Sequence, residues 1–167
     1  EADVVLVAVK PPDVVGALEQ TAAGLGADAL VLSIAAGVTI ATLEAAAPGR
    51  AVVRAMPNTP SLVGMGAAAI AGGTSAGEDD LVWAEQILGA VGTVTRVTEA
   101  QINAVTGLSG SGPAYVFLVA EAMIEAALDT AEGADILMVE TIFDTLNAKA
   151  AVYAIKTFFA THNIELP

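Results

Sequence analysis

Three short segments could do chemistry, and each stands where a run of apolar, largely β-branched residues stops. Ala8-Val9-Lys10-Pro11-Pro12 sets one lysine between such a run and two prolines. Its backbone could line a nucleotide while the ammonium offsets phosphate charge. The alternative is a rigid turn with a solvated lysine. Ser33-Ile34-Ala35-Ala36-Gly37 offers small residues that let a flat ring approach the backbone, or that simply permit tight packing. Arg54-Ala55-Met56-Pro57-Asn58-Thr59-Pro60 fixes one amide and two carbonyls between prolines, or serves as a stiff connection in which one X–Pro bond could be cis. In open parallel sheets ligands gather beyond the carboxyl ends of the strands, so these loops form the candidate site.

A glycine fingerprint for pyrophosphate is missing. Gly24-Leu25-Gly26 and Gly64-Met65-Gly66 each have an alanine three residues after the second glycine, and neither follows a strand and opens a helix. Gly110-Ser111-Gly112 reads as a turn between helices. The 167 residues include no cysteine and one histidine, His162, which removes thiol chemistry and leaves no metal site expected. No catalytic residue is assigned. A net charge of −13 with six scattered basic residues argues against a nucleic-acid partner. No apolar run approaches the ~20 residues of a membrane span, and no signal peptide is visible, so a soluble, cytoplasmic chain is expected. Glu1 stands directly before a strand, which suggests a chain cut at its front.

The elements that must position these loops follow from periodicity. Strands are expected over 4–9, 29–34, 51–56, 67–71 and 93–97, and helices over 14–25, 39–47 and 78–88. Asp13 is placed to cap the first helix, and Glu78-Asp79-Asp80 suit the positive end of the third. Alternating strand and helix implies a parallel sheet with crossovers, half of a doubly wound α/β domain. The chain then changes character: a helix over 99–108 stops in Gly107-Leu108-Ser109-Gly110-Ser111-Gly112, and Pro113 opens a helix to about Asp129. That helix is apolar on most faces (Val116, Phe117, Val119, Met123, Ile124), so it calls for a partner chain or a bundle. A second shift falls near Asp129-Thr130. Of the glycines only Gly133 lies beyond it, whereas Phe143, Tyr153, Phe158 and Phe159 all do. A strand over 136–139 and a helix over 144–159 complete the reading.

Four motifs taken in order resemble pyrroline-5-carboxylate reductase: Val7-Ala8-Val9-Lys10-Pro11, Ser33-Ile34-Ala35-Ala36-Gly37-Val38-Thr39, the 54–60 run, and Gly107-Leu108-Ser109-Gly110-Ser111-Gly112-Pro113-Ala114-Tyr115. The resemblance spans residues 1–129. It implies a Rossmann domain followed by a helical dimerisation segment, and hydride transfer from NADPH or NADH to a cyclic imine, giving proline. Such a reaction needs mostly positioning and electrostatics. The resemblance also implies that Val9, Lys10 and Pro11 line the cofactor, that Ala35 and Gly37 approach it, and that Met56, Pro57 and Asn58 lie near the nicotinamide. The family's glycine-rich loop should precede Glu1, and its later Ser-Pro-Gly-Gly-Thr-Thr loop is not found, so activity impaired by truncation is expected.

Residues 130–167 resemble a different family. Glu132-Gly133-Ala134-Asp135-Ile136-Leu137-Met138-Val139-Glu140-Thr141-Ile142-Phe143-Asp144 and the residues up to Ala151 look like the homocysteine-binding barrel of cobalamin-dependent methionine synthase. That implies one strand–helix unit, with Glu140 at a strand end facing a substrate amine; the alternative is an acid capping the next helix. The expectation is therefore a chimeric α/β chain. It comprises a partial Rossmann-like parallel sheet with crossover helices over 1–97, a helical dimerisation-type segment over 98–129, and a terminal strand–helix unit over 130–167. A homo-oligomer through the 113–129 helix and a small-molecule substrate accompany it. The competing readings are a non-catalytic chimeric or self-associating α/β protein, or a fragment of a methionine synthase homocysteine domain.

Overall fold

The computed structural model describes residues 2–131 together with 156–157 and 160–161. The strand and helix expected over 136–139 and 144–159, and Glu140, lie outside or almost wholly outside the described residues. The chain divides into two compact units, Glu1–Pro113 and Ala114–Pro167.

The first unit is a five-stranded sheet in chain order: β1 (Ala2–Val7), β2 (Leu25–Ser33), β3 (Ala51–Met56), β4 (Gly66–Gly72) and β5 (Gly92–Arg96). Its helices are α1 (Val14–Thr21), α2 (Ile40–Ala46), α3 (Glu78–Gly89) and α4 (Glu99–Val105). The β1–β2, β2–β3 and β4–β5 pairs are parallel, as expected. The β3–β4 pair is antiparallel, which corrects the all-parallel expectation. The reason is the connection: residues 57–65 are fewer than the dozen or so that a parallel crossover requires, and they hold only a 3-10 turn over Thr59–Val63.

Both faces of the sheet are covered, which explains the near-continuous apolar strands. On one face Val7, Val31, Val52, Ala69 and Ala71 pack with Val14 and Leu18 of α1, Leu43 of α2 and Ile102 of α4. On the other, Leu30, Leu32, Val53, Ala55 and Ile70 pack with Ala84 and Leu88 of α3. Burying each large side chain of this kind contributes about 1.5–3 kcal/mol.

Several boundaries differ from the expected ones. β1 ends at Val7 rather than Val9, so Ala8, Val9 and Lys10 form a loop outside the ladder. Asp13 occupies the position before α1 but makes no side-chain cap bond, because a 3-10 turn over Pro11–Asp13 already leads into the helix. α1 stops at Thr21, whose hydroxyl donates to the Ala17 and Leu18 carbonyls, and β2 starts at Leu25. The acids of α3 sit as expected in its first turn, and Asp80 Oδ2 accepts from Gly77 N at 2.8 Å. α4 is shorter than expected: it passes into a π turn over Thr106–Gly110, closed by Ser111 N donating to Thr106 O at 2.9 Å. No peptide bond among the described residues is cis.

One surface network carries a pH signature. Arg96 at the end of β5 donates to Glu85 at 2.6 and 2.9 Å and to Glu78 at 2.8 Å, tying β5 to α3. The hydrogen bond from Arg96 holds the Glu85 carboxyl below its ordinary value. A depressed carboxylate contributes stability above its unfolded pKa and loses it as pH falls through the folded one. Arg96→Ala is therefore expected to raise the Glu85 titration midpoint towards the ordinary carboxylate value, measured by NMR of the side-chain carbonyl carbon. An unmoved midpoint would reject the pairing.

The second unit begins within α5 (Gly112–Ala131), whose first residues close the first unit. Tyr115, Val116, Phe117, Leu118, Val119 and Ile124 are all exposed. A helix apolar on this many sides calls for cover beyond what the described residues supply. No helix among the described residues is long and apolar enough to cross a membrane.

Candidate functional site

Register brings the strand ends to one edge of the sheet. Val7 stands opposite Ser33, and Ser33 opposite Arg54. The loops after β1, β2 and β3 therefore leave from the same edge. The first two are tied together where Ile34 N donates to Val7 O at 3.1 Å. Between them lies a cleft of about 490 Å³ lined by Ala8, Val9, Lys10, Pro11, Asp13, Ile34, Ala35 and Ala36.

Val9, Lys10, Pro11 and Ala35 are thus brought to one cleft. Lys10 is exposed, and its carbonyl accepts from Asp13 N at 2.9 Å, so the Pro11-Pro12 turn is closed on itself. The cleft presents one ammonium and one carboxylate. A phosphate there would be drawn to Lys10 with Asp13 limiting the net field. Gly37 is in the same loop but does not line the cleft. Its backbone has φ of 78°, and a Cβ built on it would meet nothing within 4 Å. The glycine therefore serves a left-handed turn rather than a close approach.

Met56, Pro57 and Asn58 fall outside the cleft lining, at the neighbouring strand end. Both ends of the Asn58 amide are used within the protein. Its Oδ1 accepts from Ala67 N at 2.8 Å, and its Nδ2 donates to Ser109 O at 3.2 Å. Asn58 thus stitches the start of β4 to the π turn. The Met56 side chain lies beside Gly110, where an added Cβ would come 2.8 Å from its Cε. Single π turns inside helices recur at functional sites, and this one sits against the β3 end. Ser111 Oγ donates to Thr106 O at 3.0 Å, and Thr106 Oγ1 to Ile102 O at 2.7 Å, which satisfies the widened turn.

The sequence reading missed two buried polar groups of this edge. Ser33 is fully buried, and its Oγ accepts from Ala35 N at 3.3 Å. Arg54 is 4% exposed and pairs with Glu99 at 3.0 Å. An arginine inside an otherwise apolar strand was the available signal; a partner 45 residues on was not readable. No group of three or more His, Cys, Asp or Glu among the described residues is placed to hold a metal ion.

The family model described as pyrroline-5-carboxylate reductase dimerisation matches residues 99–151. Pyrroline-5-carboxylate reductase of Corynebacterium melassecola is 45% identical over 133 residues, 77% of this chain and 49% of that protein. The chain spans about half the length of the curated relatives it matches. Among solved structures, the pyrroline-5-carboxylate reductase of Coxiella burnetii superposes with a TM-score of 0.69 at 30% identity, over 96% of this chain and 75% of that one. The Plasmodium falciparum pyrroline carboxylate reductase, solved with NADP bound, shares the fold with a TM-score of 0.69 at 22% identity, over 96% of this chain and 76% of that one. Sequence identity over three quarters of a solved reductase, joined to the same fold, places this chain in the pyrroline-5-carboxylate reductase family.

Proposed function

We propose that the chain carries the nicotinamide-facing part of a pyrroline-5-carboxylate reductase: hydride transfer from NADPH or NADH to a cyclic imine, giving proline. The observation that carries this reading is the cleft in which Val9, Lys10, Pro11 and Ala35 meet at the aligned carboxyl ends of β1 and β2. The residues fit the group chemically. Ala36 and Gly37 are exposed and small in the 34–37 loop, and the exposed Lys10 supplies a cation for phosphate. The bound cofactor would supply the hydride. This chain's own contribution is to bind and orient it, with Ala35 lining one wall, Gly37 allowing the left-handed turn of the same loop, and Met56, Pro57 and Asn58 bordering the nicotinamide end. Asn58 acts there through its two backbone contacts.

The reading extends to organisation. Residues 1–97 form the Rossmann-like part and 98–129 the dimerisation-type part, with a homo-oligomer formed through the exposed apolar face of the 113–129 helix. The dimerisation match over 99–151 supports that association. A cytoplasmic setting rests on the family alone. The resemblance of 130–167 to a methionine synthase barrel, with Glu140 towards a substrate and a chimeric junction near Thr130, rests on residues 132–151. The reductase dimerisation match reaches residue 151 and so covers that stretch too. Reading the coding sequence across Thr130 decides between them.

NADPH fluorescence titration tests the function. Binding is expected, and Lys10→Ala is expected to weaken it about tenfold, a loss of about 1.4 kcal/mol, through the missing phosphate partner. No binding by the wild-type chain at millimolar NADPH would refute the proposal. An unchanged affinity in the variant would remove Lys10 from the site.

A further inference from the structure

The loop over 34–39 walls the cleft, and it is held at both ends by groups that belong to neither the loop nor α2. At its start, Ile34 N is bonded to Val7 O and Ala35 N to the buried Ser33 Oγ. At its end, Ile40 N donates to Glu99 Oε1 at 2.7 Å. The same Oε1 accepts from Arg54 Nη1 at 3.0 Å. Glu99 comes from the first turn of α4, 59 residues from Ile40. Arg54 is buried in β3, in register with Ser33. One carboxylate oxygen therefore joins β3, α4 and the first amide of α2. Thr39 Oγ1 satisfies Thr42 N at 3.2 Å, and Glu99 supplies the acceptor for Ile40 N that Thr39 does not.

We propose that Glu99 is a positioning residue. Anchored by Arg54, it fixes the far end of the 34–39 loop and so keeps the cleft wall in the shape that the cofactor meets. The cofactor part of this inference rests on the reductase reading; the anchoring part does not. The Glu99 carboxylate bonds to Ile40 N and Arg54, neither of which lines the cleft, so its effect travels through Ile40 and the loop. The Arg54 guanidinium makes the arrangement specific, because a buried cation needs this partner and holds its oxygen in place.

Two substitutions separate reach from charge. Glu99→Asp keeps the charge at the start of α4 but withdraws the oxygen by one methylene. Glu99→Gln keeps the reach and an acceptor oxygen. Amide hydrogen exchange of the cofactor-free full chain is the deciding measurement. Glu99→Asp is expected to speed exchange at Ile40 and in the 35–39 loop by about fivefold, the loss of roughly one net hydrogen bond, while Leu30, Val31 and Leu32 stay protected. Glu99→Gln is expected to keep exchange at Ile40 within about twofold of the wild type, while the urea midpoint falls because Arg54 loses its counter-charge. For a wild-type chain that binds NADPH, Glu99→Asp should raise the cofactor Kd or KM by a similar factor and leave kcat within about twofold. Wild-type exchange at Ile40 in Glu99→Asp overturns the proposal, as does an unchanged Kd beside faster exchange. A wild-type chain that binds no NADPH defeats the functional reading and the cofactor part together, and exchange at Ile40 still decides the anchor.

Discussion

Gly92→Ala is expected to cost about 3 kcal/mol of unfolding free energy, read as a fall in the urea midpoint at constant slope. Gly92 begins β5 with φ of 157° and pairs with Gly66 at the start of β4. A Cβ on Gly92 would collide with the Gly66 carbonyl, a backbone atom that cannot rotate away. Gly66 is equally confined, since a Cβ there would strike Ser61 Oγ and lie 2.9 Å from Val91 O. The two strands meet as glycine against glycine, and Gly66 N donates to Val91 O at 2.9 Å. Relief requires β5 to shift off β4, which breaks the parallel ladder where it begins. Ala67, whose amide Asn58 holds, is the next residue of β4, so the damage reaches the candidate site. A loss below about 1 kcal/mol would show that the strands separate there at little cost.

The second large effect is expected at Asn58. Asn58→Ala removes the acceptor of Ala67 N and the donor to Ser109 O, in partly buried surroundings. Leaving such groups unpaired costs about 2 kcal/mol together. The loss should be spatially divided: faster amide exchange at Ala67 on one side and at Ser111, which closes the π turn, on the other. Asn58→Asp sharpens the test. It keeps an acceptor for Ala67 N but sets a carboxylate oxygen against the Ser109 carbonyl, so the π turn should loosen while the start of β4 stays protected. Equal protection of both sites in both variants would mean that the amide holds neither.

Asn58 also shows where a sequence stops being readable. Its place between two prolines marked a fixed amide, and the resemblance set it beside the nicotinamide. Its partners lie 9 and 51 residues away, and only the fold brings them together. β3 was legible to the residue, because five apolar side chains around one arginine end at a proline. The reversal of β4 was legible in principle, since residues 57–65 are too few for a crossover; strand–helix alternation elsewhere masked it. The Lys10 and Ala35 loops were legible as strand ends, and register then placed both at one cleft. Arg54 and Glu99 were not paired on the page, because a buried ion pair leaves no periodicity.

The order of strands across the sheet is the order along the chain. Every strand therefore finds its neighbour in the segment just made, and no strand has to wait for a later one to be slotted between two others. Contacts between sequence neighbours close small loops and form quickly, whereas inserted strands hold folding back. The 57–65 reversal closes the shortest of these loops, so the β3–β4 pair is the natural seed, with β2 and β1 adding on one side and β5 on the other.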